Sequence, residues 1–122
     1  MPFHLFEFIE APAFARHRDR YLTDDDFREL QATLIANPKA GDRMPGAGGV
    51  RKLRLEDARR GKGKRGGLRI IYYDFLSQHQ IWLMTLYGKN EMSDLTADEK
   101  RQLKNAVRAE KAARGIKRGD EE

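Results

Sequence analysis

The chain has 122 residues, with 24 Lys or Arg against 19 Asp or Glu, a net charge of +5 and a pI near 9.6. That length suits one domain with one modest core, and 35% charged residues imply a busy surface around it. There is no cysteine, which excludes disulfides, cysteine metal sites and thiol catalysis. The basic balance favours an acidic partner: RNA, DNA, anionic lipid or an acidic protein. The opening MPFHLFEFIEA has no basic n-region and no long apolar run, so it does not read as a signal peptide. No segment approaches the roughly 20 apolar residues of a membrane span. The expectation is a cytoplasmic protein with no membrane partner.

In chain order, residues 3–9 alternate around aromatic and apolar positions and predict a strand. Over residues 12–21, Phe14 and His17 or Arg18 predict a short helix. Thr23 caps a second helix, three aspartates fill its first turn, and Phe27, Leu30 and Leu34 share a face. Asn37-Pro38 ends it. Residues 38–49, PKAGDRMPGAGG, read as a loop. Residues 50–55 predict a strand with Leu53 and Leu55 on one face and Lys52 and Arg54 on the other. A loop over 56–67 follows. Residues 68–76 and 80–87 predict a hairpin turning at Ser77-Gln78-His79. Thr96-Ala97-Asp98-Glu99 is a capping box for a last helix to about Ala113. The order β-α-α-β-β-β-α predicts an α+β fold: a small, mostly antiparallel four-stranded sheet with helices packed on one face. Residues 1–113 form the domain and 114–122 a charged tail.

The positive charge is concentrated. Residues 51–69, RKLRLEDARRGKGKRGGLR, hold nine Lys or Arg and two acids, a local charge of +7 that leaves −2 for the rest. A basic, glycine-opened loop between two strands suits a polyanion, whose phosphates supply most of the affinity. Gly61 to Gly66 matches G-x-G-x-x-G, but a strand follows instead of a helix, so the dinucleotide reading is rejected. His4, His17 and His79 fall in unrelated segments without metal-ligand spacing. Asp24, Asp25 and Asp26 fan around a helix start. Ser77 and Ser93 stand in no Ser-His-Asp context.

Alternation puts Arg69, Ile71 and Tyr73 on one strand face, and Ile81, Leu83, Thr85 and Tyr87 on one face of the next. With Lys52 and Arg54 these can line one surface, joined at a strand end by Tyr87 and Lys89. Arginines there hold phosphate and an aromatic stacks a base; the alternative is a solvated sheet face with ordinary cross-strand pairs. An enzyme built from these residues needs a nucleophile from its substrate. RNA carries one, the 2′-hydroxyl. Lysine or tyrosine then moves protons, and arginine stabilises the developing charge.

The segments Gly49 to Arg54, Gly61 to Tyr73, Leu83 to Glu91 and Asp94 to Thr96 carry a family resemblance. Over about residues 3–110 the chain resembles the RelE/HigB-type toxins of bacterial type II toxin–antitoxin modules, within the RelE/ParE superfamily. The resemblance implies a RelE-like fold and a ribosome-dependent messenger-RNA interferase. Such an enzyme cuts A-site codons by 2′-hydroxyl attack, with no cofactor and no metal. It implies the 70S ribosome, mRNA and a cognate antitoxin, often with a helix-turn-helix domain, as partners. Operator DNA would be met only through the antitoxin complex. Carried over residue by residue, it implies Lys52, Arg65, Arg69, Tyr87 and Lys89 as catalytic residues. It maps the family's basic strand and loop residues onto Arg54 and Lys64 as well; with the basic loop and the strand face read above, the RNA-binding candidates are Arg54, Arg59, Arg60, Lys62, Lys64 and Tyr73. Where many members have arginine after the G-K at the last strand's end, this chain has Asn90, and the segment to Thr96 has no tyrosine. The general acid and base stay open among Tyr87, Tyr73 and the lysines. A non-catalytic ParE-type gyrase inhibitor on the same fold, or a plain RNA- or DNA-binding module, are the alternatives.

Overall fold

The computed structural model describes residues 6–55, 67–92 and 94–116. It is an α+β fold with a five-stranded mixed sheet. The elements are β1 (Glu7–Glu10), α1 (Pro12–Tyr21), α2 (Asp24–Ala36), β2 (Asp42–Arg43), β3 (Arg51–Leu55), β4 (Leu68–Phe75), β5 (Gln80–Gly88) and α3 (Ala97–Arg114). The strand order is β1-β5-β4-β3-β2. β1 lies parallel to β5, and the other neighbours are antiparallel.

Local chemistry explains the starts and stops. Pro12 sits at the first turn of α1, where its missing N–H costs nothing. Thr23 and Asp26 close a capping box at α2, and Thr96 and Glu99 close another at α3. Gly115, with φ 72°, ends α3 in the left-handed conformation. The β4–β5 connection is a single 3-10 turn, Leu76–Gln78, followed by His79 at φ 54°.

Two apolar layers form, one on each side of the sheet. In the first, Phe14, Tyr21, Leu30 and Leu34 of the first two helices pack on Leu53, Leu68, Ile70, Tyr72, Ile81, Leu83 and Leu86. In the second, Val107 and Leu103 of α3 pack on Val50, Ile71, Tyr73, Phe75, Met84 and Tyr87. The expected sheet with helices on one face is therefore corrected. β4 reads LRIIYYDF, apolar on both faces beyond Arg69, and such a strand needs cover on both.

Three further differences matter. The sheet has five strands, not four, because Asp42 and Arg43 inside the expected loop pair with Lys52 and Arg51. The first strand joins parallel and covers Glu7–Glu10, residues 1–5 lying outside the described ones. The register of β4 against β5 also slips: Ile71 faces Thr85, but Tyr72 faces Leu83. Met84 is the extra residue of a bulge, which reverses the alternation of β5. Ile81 and Leu83 therefore point into the first layer, while Thr85 and Tyr87 lie on the other face with Arg69. The expectation that all four share a face fails at this residue.

Candidate active site

The register of three strands builds the site. Arg54 of β3 faces Arg69 of β4, and Arg69 faces Tyr87 of β5. Directly opposed residues share a face, with Cβ atoms about 5 Å apart. The next row along is Lys52, Ile71 and Thr85. Lys52, Arg54, Arg69 and Tyr87, four of the residues singled out in the sequence, thus come together on one end of the α3 face. β3 leaves this end at Leu55 and β4 enters it at Leu68, opposite Leu55. Arg59, Arg60, Lys62, Lys64 and Arg65 fall between these strands in the chain and lie outside the described residues.

The electrostatics of the row are unusual for a structural surface. Two guanidinium groups in direct cross-strand opposition repel one another. Arg54 has a single ion pair among the described residues, Asp42 at 3.5 Å, with both side chains largely exposed. Arg69 is half-buried and has no ion pair among the described residues; its guanidinium reaches only the Leu68 carbonyl, at 3.5 Å. Among the described residues, no carboxylate neutralises Arg69.

Tyr87 is 4% exposed, and its hydroxyl is buried without a hydrogen-bond partner among the described residues. Burial holds its pKa above the usual tyrosine value. Asp94 and Glu99 push it the same way, and Arg69 and Arg54 oppose them. The hydroxyl therefore keeps its proton at neutral pH and can act as a donor, not as a base.

The fold adds two residues that the sequence reading left out. Asp94, just before α3, lies 3.5 Å from the Lys52 ammonium and 3.3 Å from that of Lys100. The Leu95 backbone N–H donates to the same carboxylate at 2.8 Å. That bond and the two lysines hold the Asp94 pKa below its ordinary value. Asp94 falls in the resembling stretch to Thr96 but has no role assigned there, and Lys100 falls in no motif. They meet Lys52 only because the start of α3 crosses the sheet there.

The other expected residues are placed differently. Lys89 is exposed just past the end of β5, its backbone N–H bonded to the Gly67 carbonyl at 2.9 Å. Tyr73 shares the face but is 5% exposed beneath α3. Its ring meets Phe75 edge-on at 4.7 Å, and the Lys111 ammonium stands 5.3 Å from its centroid. That position removes Tyr73 from the base-stacking role read from the sequence. The helix covers this part of the face because the face is apolar. The described residues bring together no group of three or more His, Asp or Glu able to hold a metal ion.

On its other side, Tyr87 borders a cleft of about 630 Å³ between α1 and α3. Pro12, Trp82, Met84, Met92 and Leu103 form much of its wall. No protein-family model matches the chain.

Proposed function

We propose that the protein is the toxin of a type II toxin–antitoxin module, a ribosome-dependent endoribonuclease that cuts mRNA by attack of its own 2′-hydroxyl. The observation that carries this reading is the row Arg54–Arg69–Tyr87: two opposed guanidinium groups with one exposed ion pair among the described residues, beside a buried, protonated hydroxyl that has no hydrogen bond among them. The resemblance to RelE/HigB-type toxins gives the row its chemical context.

In this mechanism a backbone phosphate lies on Arg69 and Arg54. The 2′-hydroxyl gives its proton to water as its oxygen bonds to phosphorus, negative charge builds on the equatorial oxygens, and the P–O5′ bond breaks as the 5′-oxygen takes a proton. Arg69 stabilises the dianionic phosphorane; a group in that role contributes about 3 kcal/mol. Tyr87 donates the proton to the 5′-oxygen. The hydroxyl carries its proton at neutral pH, and the charge building on the 5′-oxygen draws it across. The products are a 2′,3′-cyclic phosphate and a 5′-hydroxyl. Lys52 supplies a further cation. In the free protein Asp94 neutralises it, and an incoming phosphate competes with that carboxylate for the ammonium groups of Lys52 and Lys100.

Induced expression, followed by mapping of mRNA 5′ ends with and without translation, tests the reading. Codon-registered cuts confined to translated messages are expected. Growth arrest with intact mRNA and inhibited gyrase would replace it with the non-catalytic reading. Binding without either effect would leave a plain nucleic-acid-binding module.

A further inference from the structure

The turn that follows β5 is held from two sides. It runs from Gly88 to Glu91, whose N–H donates back to the Gly88 carbonyl at 3.0 Å. On one side, the Lys89 N–H donates to the Gly67 carbonyl at 2.9 Å, which carries the pairing with β4 one residue beyond Gly88. On the other, the Glu91 carboxylate folds back over Gly88. Its Oε1 accepts from the Gly88 N–H at 2.9 Å and from the hydroxyl of Tyr21, the last residue of α1. Its Oε2 stands 3.6 Å from the Arg20 guanidinium. Only glycine leaves room beneath this carboxylate: a Cβ on residue 88 would lie 3.0 Å from Oε1 and 3.7 Å from the Tyr21 ring. One side chain thus joins the end of β5 to α1.

This turn carries Lys89 at the end of the arginine row. Gly67 and Lys89 stand two residues from Arg69 and Tyr87 along their strands, a distance of about 7 Å. Lys89 is exposed there. Its ammonium is a point charge on a flexible four-carbon stem, so the place of its root decides which phosphates it reaches. A reacting arrangement misplaced by about 1 Å can lose a hundredfold in rate. Glu91 is therefore placed to matter for chemistry without touching the substrate.

We propose that Glu91 is a positioning residue. By tying Gly88 to Tyr21 it holds the root of Lys89 beside Arg54, Arg69 and Tyr87, and the Lys89 ammonium meets the phosphate being cleaved. The proposal rests on the nuclease reading for its reaction and adds to it a residue that acts only through Lys89.

A double-mutant cycle separates this role from a merely structural one. On programmed ribosomes, Lys89→Ala and Glu91→Ala should each lower the maximal cleavage rate at least about tenfold and move the half-saturating ribosome concentration less than about threefold. The double variant should cut within about twofold of Lys89→Ala alone, because one effect runs through the other. Glu91→Gln keeps an oxygen for both donors and should rescue the rate to within about threefold of native. In the free protein, the Lys89 amide should exchange with deuterium at least about tenfold faster in Glu91→Ala than in the native chain or the Gln variant. Should Glu91→Ala not fold, Tyr21→Phe takes its place in the cycle, since it keeps the ring and removes one of the two hydrogen bonds. Losses that multiply in the double variant, a Gln variant as slow as the Ala variant, or an unchanged Lys89 amide would overturn the role of Glu91 and leave the nuclease standing. A native chain that never cuts would remove the nuclease and the catalytic role together; faster exchange at Lys89 in Glu91→Ala would then make Glu91 an anchor of the turn alone.

Discussion

Tyr87 holds a hydroxyl away from water and, among the described residues, from any hydrogen bond. Such burial costs roughly 1–3 kcal/mol. Removing the hydroxyl should therefore leave the fold as stable as before, or more stable by up to about 1 kcal/mol. The same change should slow cleavage on programmed ribosomes roughly 100-fold, if the hydroxyl moves a proton in the reaction. Tyr87→Phe thus separates stability from activity, read by thermal melting and single-turnover cleavage. A less stable but fully active variant would make Tyr87 a packing residue. Arg69 is tested by the same logic. Arg69→Ala relieves a cross-strand repulsion with Arg54, so folding should survive. Toxicity should disappear while most ribosome affinity remains, because a group that stabilises charge only in the transition state acts on rate more than on binding. A folded Arg69→Ala protein that stays fully toxic would remove this residue from the mechanism.

At the scale of elements, the start of α3 does more than begin a helix. Its capping box fixes Thr96 and Glu99, and the two residues before it set Asp94 against Lys52 and Lys100. Thr96→Ala should cost about 1 kcal/mol of stability, measured by chemical denaturation, and should loosen Asp94 with it. The Asp94 carboxyl is held below its ordinary value of 3.8. The stability it adds is thus complete above that value and is lost as pH falls through the lower folded value. An acid titration of Asp94→Asn should lack this step; an identical acid profile would show that the carboxylate contributes nothing. The helices and the β4–β5 hairpin were legible in the sequence because their signals are local: Pro12, two capping boxes, an apolar run and a turn. β2, the parallel β1 and the bulge at Met84 were not, because each exists only through pairing with a distant strand. The bulge had the largest consequence. It carries Thr85 and Tyr87 to the face of Arg69, so Tyr87 reaches its place in the row by a break in the alternation. Cover on both faces of β4 was readable in LRIIYYDF, and with it the burial of Tyr73.

For the whole molecule, the distribution of charge sets how it meets its partner. The chain carries +5, yet residues 51–69 alone carry +7. Lys52, Arg54 and Arg69 of that stretch share one end of the α3 face. The described part of that charge on this face, Lys52, Arg54 and Arg69, thus lies on the side that bears Tyr87. On the far layer the acids and bases answer one another, as with Arg51, which reaches Asp74 at 3.9 Å and the Gly41 carbonyl at 2.7 Å. A polyanion approaching this surface is drawn to one end and releases counterions there. With about five phosphates neutralised on a single strand, log K for ribosome or RNA association should fall against log salt with a slope of roughly −3 to −4. Replacing Arg59, Arg60, Lys62 and Lys64 together by alanine should bring that slope to about −1 and weaken binding at low salt. A thermal melt of the variant within about 0.5 kcal/mol of native is expected and would show that the change acts on binding and not on the sheet. A slope untouched by the fourfold variant would confine phosphate contact to Lys52, Arg54 and Arg69. The row alone would then have to hold the RNA that Tyr87 is proposed to act on.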